Sequence, residues 1–213
     1  MGRRKKEPGS VHRHNIASAA QELFMQKGIE GTSMNEIAQK AGYSKATLYV
    51  YFKNKEEIIG LLALESMEML YEHISDALET SVHTKERYDN ICQALVTYQQ
   101  QYPFYFQLAL SEINIDFTHT DFLPEEQETF RVGEKINDKI RCFIQDGINA
   151  GELRPDIPIM TTIFSFWGMM SGLILAAENK QAYIAQEIKI SRKEFLSYGF
   201  DTLYQAIAVL PPD

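Results

Sequence analysis

The residues best suited to chemistry lie close together, in the stretch that begins at Lys45 and ends at Tyr51. An ammonium group and hydroxyl groups both hydrogen-bond to phosphate oxygens, and this stretch supplies one lysine, one threonine and two tyrosines. Ala46 is small enough to lie against a thymine methyl group. These residue types favour contact with a nucleic-acid backbone and with base edges. The candidate residues are Lys45, Ala46, Thr47, Tyr49 and Tyr51.

Two short helices must position these side chains. Ser33 and Glu36 have the spacing of a capping box, which predicts a helix that begins at Met34. Gly42 is placed to end that helix, because glycine adopts the left-handed backbone conformation that redirects the chain. A second helix is therefore expected directly after the turn.

Ser44 is the predicted cap of this second helix, which should run from Lys45 to about Phe52. Leu48 and Phe52 are four positions apart and share one face, which can pack on Ile37 of the preceding helix. The candidate contact residues are then left free on the outer face. Two helices joined by so short a turn are typical of a helix-turn-helix motif that reads duplex DNA.

With the helix before it, this segment resembles the DNA-binding domain of the tetracycline-repressor (TetR/AcrR-type) family. That family has an AxxLF helix, a glycine loop that ends in threonine, an IAxxAG segment, a TLYxYF run and a closing lysine. The resemblance covers roughly residues 12 to 60. The matching segments here are Ala20 to Phe24, Gly28 to Thr32, Ile37 to Gly42, Thr47 to Phe52 and Lys55.

The resemblance implies a set of DNA-contacting residues. It places base-edge contacts near Lys45 and Ala46, and it places Ser33 and Asn35 against the DNA backbone. Family members often have glycine or proline near Ala46, so the base preference stays open. The alternative for the two tyrosines is packing within a small helical domain. The implied DNA-binding residues are Ser33, Asn35, Ser44, Lys45, Ala46, Thr47, Tyr49, Tyr51 and Lys55.

Apolar periodicity predicts helices throughout the rest of the chain, so the expected fold class is all-α. The predicted helices cover about 55–78, 85–101, 103–112, 125–150, 157–178 and 192–209, with a break at 179–190. We expect a basic disordered arm over 1–11, a three-helix DNA-binding domain over 12–54, and a helical effector-binding and dimerisation domain over 55–213.

Charge is unevenly distributed along the chain, which has a formal net charge of −8. Up to residue 57 there are 10 Lys and Arg against 6 Asp and Glu, whereas the rest has 11 against 23. Nucleic acid repels an acidic protein, so binding should be confined to the basic amino-terminal part. A run of four basic residues near the start of the chain could enter a minor groove or be a solvated tail. Its residues are Arg3, Arg4, Lys5 and Lys6.

The 21 residues between Asp156 and Glu178 are uncharged, and a segment of that length can cross a bilayer. We favour a buried helix, because one of its faces is small and the opposite face is bulky. Without Lys- or Arg-rich flanks, a membrane span is the weaker alternative. The small-residue face is Thr161, Ser165, Gly168, Gly172 and Ala176.

That small face predicts close approach of a partner helix, with the last helix as its companion. The TetR resemblance implies the same homodimer, since that family dimerises through its last two long helices. A two-fold axis would place the two reading helices about one DNA turn apart, over an inverted repeat. The last helix would contribute Phe195, Tyr198 and Leu203.

An aromatic cluster in the centre of the chain could surround a pocket for a small apolar or amphipathic effector, although core packing would explain the cluster equally well. The resemblance implies that such an effector releases DNA. The pocket candidates are Met69, Tyr98, Tyr102, Phe104, Tyr105, Phe106, Trp167 and Met170.

Other chemistries find little support in the sequence. No common hydrolase, nucleotide-binding or metalloprotease motif is present, so an enzyme is not expected. One acidic stretch has a spacing that fits no metal motif; the residues of this stretch are Glu112, Asp116, His119 and Asp121. No cofactor is predicted. Cys92 and Cys142 are expected to be buried thiols in a reducing cytoplasm, and no signal peptide is recognisable.

These inferences predict a ligand-responsive, DNA-binding transcriptional repressor. A DNA-binding protein of the same fold with an architectural role and no effector is the second hypothesis. An all-helical enzyme or a membrane-associated protein is the third.

Overall fold

The computed structural model describes residues 8–110 and 123–209. Within these ranges the regular structure is helical, which confirms the predicted all-α fold class, and an isolated antiparallel bridge joins Leu153 to Ala208. The helices are α1 (Gly9–Lys27), α2 (Met34–Lys40), α3 (Lys45–Tyr51), α4 (Lys55–Glu79), α5 (Thr84–Gln101), α6 (Pro103–Leu110), α7 (Pro124–Asn149), α8 (Ile159–Asn179), α9 (Gln181–Tyr183) and α10 (Arg192–Gln205).

The helices differ from those expected at both ends of the described chain and at the predicted break. Helix α10 ends at Gln205 rather than at about residue 209. Helix α1 begins at Gly9, so residues 9–11, which the sequence assigned to a disordered arm, form its first turn; the Val11 amide donates to the Pro8 carbonyl oxygen. The predicted break at 179–190 contains helix α9 and a π-helical turn, Ile184–Ile188. The buried Ile184 holds that turn against its unit.

The chain divides into two compact units. Of the described residues, the first contains 8–67 together with 104–110 and 123–130, and the second contains 68–103 together with 131–209. Helices α4 and α7 each contribute residues to both units.

The first unit buries one side of each of its short helices. Ile16 and Ala20 of α1, Ile37 of α2 and Leu48 of α3 have no exposed surface. Helices of seven residues are marginal in water by themselves, because nucleation fixes several backbone angles for each hydrogen bond gained. Packing against α1 therefore stabilises α2 and α3.

The predicted capping box is present at the start of α2. The Glu36 amide donates to Ser33 Oγ over 3.3 Å, and the Ser33 amide donates to Glu36 Oε2 over 2.9 Å. Lys27, in the last turn of α1, donates a further hydrogen bond to the Glu36 carboxylate. The hydrogen bonds from Lys27 and Ser33 lower the pKa of Glu36 from 4.5 to about 2.

In the second unit, α5, α8 and α10 pack together. The Tyr88 hydroxyl of α5 donates to the Phe200 carbonyl oxygen of α10 over 2.8 Å, and burial raises the pKa of Tyr88 well above its usual range. Leu173 of α8 lies against Gly199 of α10, where a Cβ atom would stand 2.9 Å from Leu173 Cδ1. A side chain at Gly199 would therefore displace the Leu173 side chain from its place between α8 and α10.

The two cysteines, both in helices, lie in different environments. Cys92 is buried in α5 as expected, and burial raises its pKa to about 12. Cys142 is exposed, so its predicted burial is wrong. The reason is its position on the outward side of α7, whose next two residues, Phe143 and Ile144, turn inward.

Glu36→Gln should lower the thermal unfolding midpoint at neutral pH, because the carboxylate accepts hydrogen bonds from Lys27 and Ser33. The folded pKa is depressed, so this stabilisation is fully present above about pH 4.5 and is lost as pH falls toward about 2. The difference between wild type and variant, measured by circular dichroism, should therefore shrink over that window.

The matched control is Glu30→Gln, which removes an exposed carboxylate from the loop before α2. If the difference in unfolding midpoint between wild type and Glu36→Gln stayed constant from pH 7 to pH 2, the assigned role of this carboxylate would be contradicted.

Candidate nucleic-acid interface and effector cavity

Helix α3 presents an outward face that carries several of the residues predicted to contact DNA. Lys45 and Ala46 are exposed, Tyr49 is 44% exposed and Thr47 is half-buried. The Lys45 ammonium lies 6.0 Å from the centre of the Tyr49 ring. The inward residue, Leu48, has no exposed surface, so the helix is anchored on one side and accessible on the other.

Residues of α1 contact Tyr51, the last residue of α3. Its ring centre lies 5.2 Å from that of His12, and Arg13 donates a hydrogen bond to its carbonyl oxygen. The Arg13 guanidinium lies 4.2 Å from the centre of the Phe52 ring and also pairs with Glu125, in the first turn of α7. A cation is favourable beside the last carbonyl groups of a helix. Arg13 therefore fixes the carboxyl-terminal end of α3.

Ser33 and Ser44, two of the residues predicted to bind DNA, act as helix caps. Ser44 Oγ accepts a hydrogen bond from the Thr47 amide over 3.1 Å and lies 2.8 Å from Thr47 Oγ1. Ser33 caps α2, and Asn35 follows it on the exposed side of that helix. Both serines are exposed, so capping leaves them accessible at the starts of α2 and α3.

Lys55 makes internal contacts that the sequence analysis missed. Its ammonium donates to the Ile29 carbonyl oxygen over 2.7 Å and to the Thr32 carbonyl oxygen over 3.3 Å. These bonds join the start of α4 to the loop between α1 and α2. They occupy two of the three ammonium donors, so any phosphate contact would add to a structural role.

Two predicted groups of residues lie outside the described ranges. The basic run Arg3, Arg4, Lys5 and Lys6 is one of them, and the acidic stretch Glu112, Asp116, His119 and Asp121 is the other. Among the described residues, no group of three or more His, Cys, Asp and Glu side chains is arranged to hold a metal ion.

Helix α8 is long and apolar enough to cross a membrane by length and composition, yet only 22% of its most apolar stretch is buried. Gly168 and Gly172 face open space, and Thr161 and Ser165 are exposed on the same side; Ala176 is half-buried. The exposed side also includes Phe164, Met160 and Met169, which are 61%, 43% and 42% exposed and were not among the predicted residues.

Helix α10 adds a second exposed apolar surface. Tyr198 is 77% exposed, and Phe195 and Leu203 are half-buried. Because α10 packs on α8 at Gly199, the two helices present neighbouring surfaces of one unit.

The second unit contains an apolar cavity of about 40 Å³. Trp167 and Met170, two of the predicted pocket residues, line it. No charged side chain is among the lining residues. The lining consists of Tyr88, Ile91, Leu95, Ile140, Phe143, Ile144, Thr162, Ile163, Phe166, Trp167, Met170 and Ile207.

The other six predicted pocket residues do not line this cavity. Met69, Tyr98 and Tyr102 lie in the second unit, where the Tyr98 and Tyr102 ring centres are 5.2 Å and 6.4 Å from that of His73. Phe104, Tyr105 and Phe106 belong to the first unit instead. There, Phe104 contacts Phe24, and Tyr105 donates to Glu65 Oε2 over 2.8 Å.

Comparison with known proteins gives a family match at the amino-terminal unit. Residues 16–62 match the family model described as "Bacterial regulatory proteins, tetR family". The Fatty acid metabolism regulator protein of Bacillus subtilis is 24% identical over 192 residues, which span 86% of this chain and 93% of that protein. The HTH-type transcriptional repressor KstR2 of Mycolicibacterium smegmatis is 22% identical over 194 residues, with 84% and 89% covered.

The same architecture occurs among solved structures. The transcriptional regulator FadR from Bacillus subtilis, solved in complex with stearoyl-CoA, superposes with a TM-score of 0.67 at 18% identity, covering 91% of this chain and 98% of that one. This likeness concerns the fold. The family match identifies residues 16–62 as a TetR-type helix-turn-helix DNA-binding domain, and the named relatives support a TetR-type transcriptional regulator.

Proposed function

We propose that this protein is a homodimeric repressor that binds an inverted-repeat operator and leaves it when a small apolar or amphipathic effector binds. The observation that carries this proposal is the outer face of α3. Lys45 and Tyr49 are exposed on this face, and Leu48 is buried on the opposite side of the helix. Such a face has the donors for base edges and phosphates that a reading helix needs. A cytoplasmic location follows from this role.

The two-fold symmetry of the proposal rests on α8 and α10. A monomer that left Phe164 61% exposed and Tyr198 77% exposed would present a large apolar surface to water. Gly168 and Gly172 would allow the backbone of a second copy to approach closely. Two helices from each subunit would then form a four-helix interface.

The effector proposal rests on the cavity around Trp167 and Met170. Its volume of about 40 Å³ is well below the roughly 300–1,000 Å³ of pockets that enclose drug-sized ligands. An effector would therefore bind by selecting a state in which α5, α7 and α8 stand further apart. A ligand that binds this more open state more tightly than the DNA-binding state would shift the protein away from DNA. The stearoyl-CoA bound by the Bacillus subtilis regulator suggests an acyl chain as a first probe.

The repressor role is drawn from the relative named as a transcriptional repressor. A protein that covers an inverted repeat excludes other proteins from the same DNA, and this steric effect requires no further chemistry.

Lys45→Ala should relax sequence preference and cost about 1–3 kcal/mol of specific binding, because the residue is proposed to contact base edges. Tyr49→Phe removes only a hydroxyl group, so it should weaken binding to all duplexes alike and leave the salt dependence unchanged. Fluorescence anisotropy would measure both effects, using duplexes selected from a random pool and scrambled versions of them.

Lys193→Ala, an exposed lysine in the first turn of α10, is the matched control for lost positive charge. An inverted repeat among the selected duplexes would support the symmetry. Unchanged affinity and selectivity in Lys45→Ala would remove this residue from the interface.

Gly168→Leu should weaken the proposed dimer by about tenfold or more, since a large side chain would block close approach of the partner helix. Sedimentation equilibrium over a range of protein concentrations would give the dissociation constant. Gln145→Leu, on the exposed side of α7, places the same side chain elsewhere and should have no effect. A Gly168→Leu protein with wild-type self-association would place the interface on another surface.

Stearoyl-CoA should change the emission of Trp167, the single tryptophan, and weaken operator binding about 5–150-fold, whereas coenzyme A alone should do neither. Ile144→Phe fills the cavity from α7 and should abolish the response, while Gln145→Phe, the next and exposed residue, should preserve it. A response that persists in Ile144→Phe would place the effector outside this cavity.

A further inference from the structure

Val50 is an apolar residue that the fold does not bury. It is 78% exposed on α3, and among the described residues of the first unit it is the most exposed large hydrophobic side chain. Its neighbour Leu48, in contrast, has no exposed surface. Burial in the first unit therefore does not explain a valine at this position.

Helix formation does not explain the valine either. Valine is β-branched and loses side-chain freedom in a helix, so alanine or a straight-chain residue would suit an exposed position better. Helix α3 has only seven residues, so one unfavourable choice carries weight. Neither burial nor helix propensity therefore accounts for a valine at this position.

The position of Val50 relates it to Ala46. The two residues are four apart, one helical turn, and both are exposed on the side of α3 that also carries Tyr49. Ala46 and Val50 thus form a short apolar strip beside the polar groups of the same face. Two residues that are four positions apart are separated by about 6 Å along the helix axis.

The major groove offers one apolar group to such a strip, the C5 methyl group of thymine. We propose that Val50 is a specificity-determining residue that packs against a thymine methyl group in each half-site, with Ala46 against a second thymine methyl group nearby. The proposal rests on the proposed function, because it requires α3 to enter the major groove. Adjacent bases on one strand are about 3.4 Å apart, so the strip can span neighbouring bases or bases two steps apart.

The size of the effect follows from the apolar area that each contact removes from water. One methyl group that loses its contact should weaken binding about fourfold. Two symmetric half-sites should together give about fifteenfold. Such differences are large enough to measure by titration.

The experiment uses the full-length protein and a duplex selected from a random pool. Each thymine is replaced in turn by deoxyuridine, at the equivalent positions of both half-sites, which removes the methyl group and keeps base pairing. At one such thymine pair, the substitution should weaken binding of the wild-type protein about fifteenfold, because Val50 loses its methyl contact in both half-sites. Val50→Ala should bind the unmodified duplex about as weakly as wild type binds that substituted duplex, and should no longer respond to the substitution.

Val11→Ala on α1, where the valine is 39% exposed, is the matched control and should retain the full thymine response. Thermal unfolding of Val50→Ala should be unchanged or raised, since alanine is the better helix former, so a binding defect would not reflect misfolding.

If Val50→Ala keeps the wild-type response to every deoxyuridine substitution, the inference is overturned and the proposed function stands. If the wild-type protein binds no duplex selectively, the proposed function itself fails, and the inference fails with it.

Discussion

Burial of one side of α3 against α1 is the constraint on which the DNA-binding unit depends. Neither α2 nor α3, at seven residues each, is long enough to be stable as an isolated helix. Leu48 and Ile37 are completely buried and supply the apolar contact that holds both helices in place. The same burial determines which side chains face outward, so the stability of the unit and the composition of its outer face have one cause.

Polar contacts then fix the ends of these short helices. Ser33 and Ser44 cap the starts of α2 and α3, while Arg13 contacts the last carbonyl group of α3. Lys55 ties the start of α4 to the loop that precedes α2. Apolar packing is tolerant of small rotations, whereas hydrogen bonds to particular carbonyl groups are directional. These contacts therefore restrict how far α3 can turn.

Features that depend on neighbouring residues could be predicted from the sequence. The capping box at Ser33 and the cap at Ser44 are local patterns, and both are present. The inward side of α3 also follows from the four-residue spacing of Leu48 and Phe52. The contact of Arg13 with Glu125 joins residues 112 positions apart, and no local pattern indicates it.

The aromatic cluster could not be placed from spacing alone, because a proline divides it. Tyr102 precedes Pro103 and has φ −133° and ψ 60°, outside the helical region, as is usual for a residue before proline. Tyr98 therefore stays with the second unit, whereas Phe104 and Tyr105 belong to the first. Trp167 and Met170 reach the cavity because the inward side of α8 continues past them to the buried Ile174.

The contrast between the two thiols makes the protein suited to selective chemical labelling. The thiolate is the form that reacts with maleimides, and Cys92, buried and with its pKa raised to about 12, remains protonated at neutral pH. Cys142 is exposed on α7, the helix that also supplies Phe143 and Ile144 to the cavity. A spin label or fluorophore can thus be attached to α7 of the native chain without engineered cysteines, and would report movement of that helix directly.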